Sequence, residues 1–186
     1  MSTWRSGAVT ASHVGRMAAV SMRLHQILGT ASMASEHPTA TVMFDELSLE
    51  HAWHASLLTE RLPRRAGVNR ADLLVLGPTG PAMEVMAELA SGGDTVGVAS
   101  AYRSVMLPRL IESGGDIAAS CSQAAERSLL RSLAFIGLDL EAATKRSGAL
   151  VESLTGDRGS AAHAERVARD LEEVLLEALG TRGLGV

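Results

Sequence analysis

Four residues carry side chains suited to proton transfer or metal coordination at spacings that could bring them together: His25, Glu50, His51 and His54. Three of them lie in the run Asp45-Glu46-Leu47-Ser48-Leu49-Glu50-His51-Ala52-Trp53-His54. On a helix advancing about 100° per residue, Met43, Leu47, Glu50, His54 and Leu57 share one inward stripe, and His51 sits about 80° from Met43 on its flank. His25 occupies the centre of another stripe, made by Val14, Ala18, Ser21 and Leu28. Burying an acid or an imidazole is unfavourable unless it is paired, hydrogen-bonded or bound to a metal. Two chemistries follow. As a proton-transfer site, Glu50 is the general acid or base, and His54 and His25 orient it or share its proton. As a metal site, His25, Glu50, His51 and His54 are the carboxylate and imidazole ligands. A metal-free hydrogen bond from Glu50 to His25 or His54 is the structural alternative.

The second half of the chain supplies less. A di-metal centre in a helical bundle takes a Glu-x-x-His from each of two helices and a Glu from each of the other two. The helix expected over about 122–153 has no Glu-x-x-His, and Glu126 and Asp139 fall toward the edges of its apolar stripe. Of Tyr102 and Glu112 on the preceding helix, only Tyr102 lies on the apolar face. Gly77-Pro78-Thr79-Gly80 lacks the Gly-Lys-Ser/Thr ending of a phosphate loop and reads as a turn. Cys121 has no evident base beside it and reads as a small packing residue.

These residues need helices to position them. Helix 1 is expected over about 10–34 and ends before Pro38; helix 2 follows and stops at Leu62-Pro63. Residues from Pro63 to Gly93 read as a long crossover containing a short helix that starts at Pro81. Asp94 or Thr95 caps helix 3, which Pro108 should kink and Gly114-Gly115 should interrupt or end near residue 113. Helix 4 covers about 122–153 and helix 5 about 160–179, the latter amphipathic through Ala164, Val167, Ala168, Leu171, Val174, Leu175 and Ala178. Two helix pairs joined by one long connection are what a ferritin-like four-helix bundle requires. The expected class is all-α, with residues 1–155 forming the bundle and 156–186 a C-terminal amphipathic helix and tail.

Composition agrees with a helical domain. The chain has 186 residues, 46% hydrophobic and 20% charged, with aromatics at only 3%. Small and unbranched apolar residues suit helix packing better than a sheet. A net charge of −4 without a basic stripe argues against nucleic-acid binding. Arg61, Arg64, Arg65 and Arg70 cluster where they can serve a helix end. One cysteine excludes an intrachain disulfide, and no apolar run suits a signal peptide or a membrane span. The cytoplasm is the expected location, with no membrane partner.

The run Glu50-His51-Ala52-Trp53-His54-Ala55 followed by Leu62-Pro63 resembles a group of actinobacterial ferritin-like proteins of largely unassigned function. The Gly80-Pro81 helix and Tyr102-Arg103-Ser104-Val105-Met106-Leu107-Pro108-Arg109-Leu110 resemble the same group. The resemblance covers residues of about 10–153. It implies the ferritin-like fold, and through di-iron hydroxylases, oxidases and a tRNA hydroxylase in the wider superfamily it admits iron; the missing second Glu-x-x-His departs from that pattern. The leading expectation is a degenerate ferritin-like protein that binds or transforms a small organic molecule in an interior polar pocket, without a cofactor. The alternatives are an iron-dependent oxidase or hydroxylase, and a non-catalytic oligomerising accessory protein. Because helices 1–4 close a bundle, the apolar face of helix 5 is expected to pair two copies into a homodimer.

Overall fold

The computed structural model describes residues 7–64 and 69–179. Among these residues the protein is all-helical, with no strand. The helices are α1 (Gly7–Ala34), α2 (Pro38–Arg61), α3 (Gly80–Ser91), α4 (Thr95–Ala101), α5 (Leu107–Ser120), α6 (Arg127–Leu154) and α7 (Arg158–Leu179). A π turn over Tyr102–Met106 joins α4 to α5 without a break. No helix among the described residues is long and apolar enough to cross a membrane.

Four layers pack in a closed circuit: α1 on α2, α2 on α6, α6 on α5, and α5 back on α1. Direction follows from the side-chain pairings. Arg61 at the end of α2 bonds to Ser128 and Ser132 at the start of α6, and Glu46 and Glu50 meet Arg146 farther on, so the two helices are antiparallel. Thr95 at the start of α4 bonds to Ser35 just before α2, and Tyr102 meets His51, so α2 and α4 run parallel.

Two parallel helices consecutive in the circuit's chain order need a connection as long as themselves. The described part of the segment from Pro63 to Gly93 makes that journey along α1. At one end Arg70 donates to the Thr59 carbonyl, and Leu73 rests its backbone on Gly15 near the start of α1. At the other, Gly93 approaches the carbonyl of Ala34 at the end of α1. Between them, two short 3-10 turns (Arg70–Leu73 and Gly77–Thr79) lead into α3, which lies on α1. Arg70 thus serves a helix-end carbonyl as its placement suggested; Arg65 lies outside the described residues.

Two local expectations need correction. Gly114-Gly115 does not end a helix: α5 continues to Ser120, because Leu110, Ser113 and Ile117 are buried around the pair and hold that face down. The following helix starts at Arg127 rather than near 122, after a turn in which Glu126 accepts from the Ser122 N–H at 2.7 Å. Pro108 perturbs its helix through a π turn. Proline has no N–H to give residue 104 and its ring crowds that carbonyl; one residue earlier the Leu107 N–H reaches back five residues to the Tyr102 carbonyl.

The face of α7 that suggested a homodimer is covered within the chain. Leu171 and Leu175 are fully buried and Val167 is nearly so, against α4, α3 and the π turn. Asp94 Oδ1 caps α4 through the Gly97 N–H at 2.8 Å, while its Oδ2 meets His163 of α7 at 2.7 Å. Ser100 donates to the Ala164 carbonyl, and buried Arg109 donates to Glu172 at 2.8 Å. An intrachain contact avoids the entropy of association, so α7 docks as a fifth layer.

Three substitutions test this packing. Gly15→Ala should raise helix propensity by about 1 kcal/mol, yet its Cβ would overlap the Leu73 backbone. A net loss of about 1–3 kcal/mol is expected in urea unfolding. Gly137→Ala in α6 meets nothing within 4 Å and should stabilise by about 0.5–1 kcal/mol. Leu171→Ala should cost about 2–5 kcal/mol by the same measurement if α7 is a docked layer of the folded chain.

Candidate functional site

The site begins with how α2 is rotated. Its buried residues are Ala40, Met43, Phe44, Leu47, Ser48, His51, His54, Ala55 and Leu58. The inward face is therefore turned by about a quarter revolution from the Met43–Glu50–Leu57 stripe expected from the sequence. His51, expected on the flank, is 1% exposed, and so is His54. Glu50, expected inside, lies at the α2–α6 seam with its side chain 31% exposed, accepting from Arg146 Nη2 at 2.6 and 2.7 Å. The reason is pairing: an acid beside a cation at a solvent edge avoids the desolvation that an unpaired interior carboxylate would suffer.

His25 does not join the others by contact. It is partly buried on α1, where its Nδ1 lies 2.8 Å from Ser48 Oγ and 3.1 Å from the Ser48 carbonyl. The Ser48 hydroxyl already donates to the His25 carbonyl at 2.9 Å, so the Nδ1 proton sits on His25 and donates to Ser48. His25 pins α1 to α2, and it reaches His51 only through its charge.

The interior group is His51, His54 and Tyr102. The rings of His51 and His54 meet edge to face, centroids 5.6 Å apart, and Tyr102 meets the His51 ring in the same way. His51 Nε2 lies 2.9 Å from the Tyr102 hydroxyl, and His54 Nε2 lies 3.0 Å from Asp139 Oδ2 on α6. Burial lowers the His51 pKa from 6.5 to about 3, helped by the nearby charges of His54 and His25, so this imidazole stays neutral. Burial also pushes the Tyr102 hydroxyl far above its ordinary value, with Glu50 adding to the shift, so it keeps its proton.

These bonds fix the protons. A carboxylate only accepts, so His54 donates from Nε2, and in its neutral form Nδ1 is a bare acceptor. With His51 neutral, Tyr102 donating to Nε2 leaves one unsatisfied polar atom, the Nδ1–H. The reverse arrangement leaves two, which is costlier. His51 Nδ1 and His54 Nδ1 are both buried without a hydrogen-bond partner. Each such group costs about 1–3 kcal/mol. When His54 is neutral, the site presents one unpaired donor and one unpaired acceptor on adjacent rings.

The metal reading fares differently. Among the described residues no three His, Cys, Asp or Glu side chains gather closely enough to hold a metal ion. Glu50 is engaged by Arg146, His54 by Asp139 and His25 by Ser48, so His25, Glu50, His51 and His54 do not form a ligand set. Iron does not fit the residues as they stand. Cys121 is buried, and burial together with Glu126 raises its thiol pKa to about 11, which leaves it unreactive.

The sequence placed Asp139 only at the edge of the α6 stripe and gave no role to Arg146. Ser132, Asp139 and Arg146 recur every seven residues on one flank of α6 and meet Arg61, His54 and Glu50 on antiparallel α2. That heptad of polar residues beside a leucine stripe was the available signal. No protein family, curated protein or solved structure matches this chain.

The buried imidazole has a measurable consequence. As pH falls below about 6.5 the unfolded chain takes up a proton at His51, whereas the folded chain does so only near 3. Stability from this group is complete above 6.5 and falls with decreasing pH, by up to about 1.4 kcal/mol per unit. Denaturant unfolding between pH 7 and 4.5 should show a steeper loss for the native chain than for His51→Gln.

Proposed function

We propose that the chain is a ferritin-like four-helix bundle whose interior has exchanged metal ligands for a hydrogen-bonding site, and that it binds and deprotonates a small neutral organic molecule. The fold reading is supported by the crossover along α1 and the parallel pair α2 and α4, and by the resemblance of the α2 and Tyr102–Leu110 sequences to ferritin-like proteins. The observation that carries the functional reading is the pair of unpartnered nitrogens, His51 Nδ1 and His54 Nδ1, in the buried interior. A hydroxyl, primary amide or protonated carboxyl group satisfies both at once, because it accepts from one ring and donates to the other.

The dyad also assigns roles. His54 takes the ligand's proton at Nδ1, and Asp139 steadies the imidazolium by holding Nε2–H. His51 Nδ1–H, backed by the Tyr102 hydroxyl, donates to the oxygen on which negative charge develops. Glu50, first expected to be the base, instead orders the α2–α6 seam with Arg146. A charged ligand is disfavoured, since a neutral imidazole and a phenol provide no counter-ion for it.

A thermal-shift screen of neutral alcohols, primary amides and short carboxylic acids tests this reading. At least one class should stabilise the native chain, and His54→Leu should lose most of that shift while remaining folded by circular dichroism. Equal stabilisation of the native and His54→Leu proteins would place binding elsewhere.

A further inference from the structure

The outward face of α2 and α6 carries large apolar side chains that nothing in the chain covers. Leu49 and Trp53 on α2 are 62% and 58% exposed; Phe135 and Leu138 on α6 are 55% and 63% exposed. Between Trp53 and Phe135 the surface sinks into a groove of about 390 Å³, with Leu57 and Asp139 also in its wall. Only a few aromatic residues occur in the whole sequence, and two of them lie here in water. Contiguous exposed patches with aromatic centres mark interaction sites.

The charges around the patch say which partner fits. On α2 the exposed acids Asp45 and Glu46 stand at one end of the patch and Glu60 at the other, while Arg61, beside Glu60, turns into the seam to Ser128 and Ser132. On α6 the exposed bases are Arg131, level with the Glu60 end, and Lys145, level with the Asp45 end, while Glu141 lines the pocket between α5 and α6 and Asp139 is held at the seam by His54. Asp45, Arg131 and Lys145 form no ion pair among the described residues, and the Glu60 contact to Arg61 is loose at 3.8 Å. A surface that is acidic and apolar along one ridge, and basic and apolar along the next, is complementary to itself. A two-fold axis parallel to the helices lays α2 of one copy over α6 of the other. A two-fold axis across the helices would set acid against acid and base against base, which is repulsive.

We infer that the α2–α6 face is the interface of a parallel two-fold homodimer of this chain. Glu60 faces Arg131 of the second copy at one end, Asp45 and Glu46 face Lys145 at the other, and the Trp53 and Phe135 rows interlock between them. The apolar centre excludes water and the charged rim fixes the register. Closure also covers the outer side of Asp139, 43% exposed in a single chain, and so dries the carboxylate that holds His54. The inference does not rest on the proposed chemistry, because it uses only the outer surface.

Sedimentation velocity of the full chain over a range of concentrations gives the first reading, and a dimer is expected. Trp53→Glu and Phe135→Glu, both at exposed positions and checked for native circular dichroism, should sediment as monomers. Glu60→Arg should weaken the dimer by about tenfold, as should Arg131→Glu, and the double reversal should restore most of the loss. A monomer at every concentration overturns the interface. So does a dimer unaffected by either Glu substitution. Failure of the double reversal to rescue overturns the parallel register.

Discussion

The rotation of α2 about its own axis is the constraint on which the interior depends. Its apolar residues alone do not determine that rotation, since Met43, Leu47 and Leu57 are compatible with an inward face a quarter turn away. Polar pairing on both flanks does. On the α1 side, His25 and Ser48 bond reciprocally, each donating to the other's residue. On the α6 side, Arg61 meets Ser128 and Ser132, and Arg146 meets Glu46 and Glu50. Held at both edges, α2 turns His51 and His54 into a space where neither imidazole reaches water. Edge pairs of this kind are individually worth little, but each is also a geometric stop, and a small rotation would break all of them together.

The connection between α2 and α4 places Tyr102 beside His51. A short turn would send the next helix back antiparallel, whereas the passage along α1 returns the chain to the level of Ser35 before α4 begins. Seven residues into that run, Tyr102 arrives level with His51. The π turn starts at this residue, and Pro108 accounts for it sterically without reference to function. Widened helical turns are nonetheless frequent at functional sites, since they allow a side chain to be aimed from a helix that otherwise has none to spare. The fifth layer, α7, then closes over α3 and α4, tied by Asp94 to His163 and by Arg109 to Glu172.

Two imidazoles on one buried helical face give the interior a different character from a metal centre. A di-metal bundle gathers several carboxylates, whose mutual repulsion the cations neutralise. Here the described interior holds a neutral His51 ring, the His54 ring and a phenol, and Glu50 and Asp139 stand at the seam with arginine or histidine partners.

The helices and their order were legible in the sequence because local signals specify them: prolines at 38, 63 and 81, the Asp94 cap, and the apolar repeats of α6 and α7. The long connection was legible from its length and its turn residues. His51 and His54 were visible as candidates, since two imidazoles three residues apart on an otherwise apolar helix stand out. Their roles were not, because periodicity gives the spacing of a face and leaves its angular origin free by tens of degrees. Only the packed neighbours fix that origin, which is why Glu50 moved to the seam and His51 to the centre. Partners such as Asp139 and Arg146 are 85 and 96 residues distant in sequence, and no local rule brings them near. The same holds for α7: its amphipathic face is written in the sequence, but whether that face meets another copy or its own chain depended on an apolar surface that only the folded α3 and α4 present.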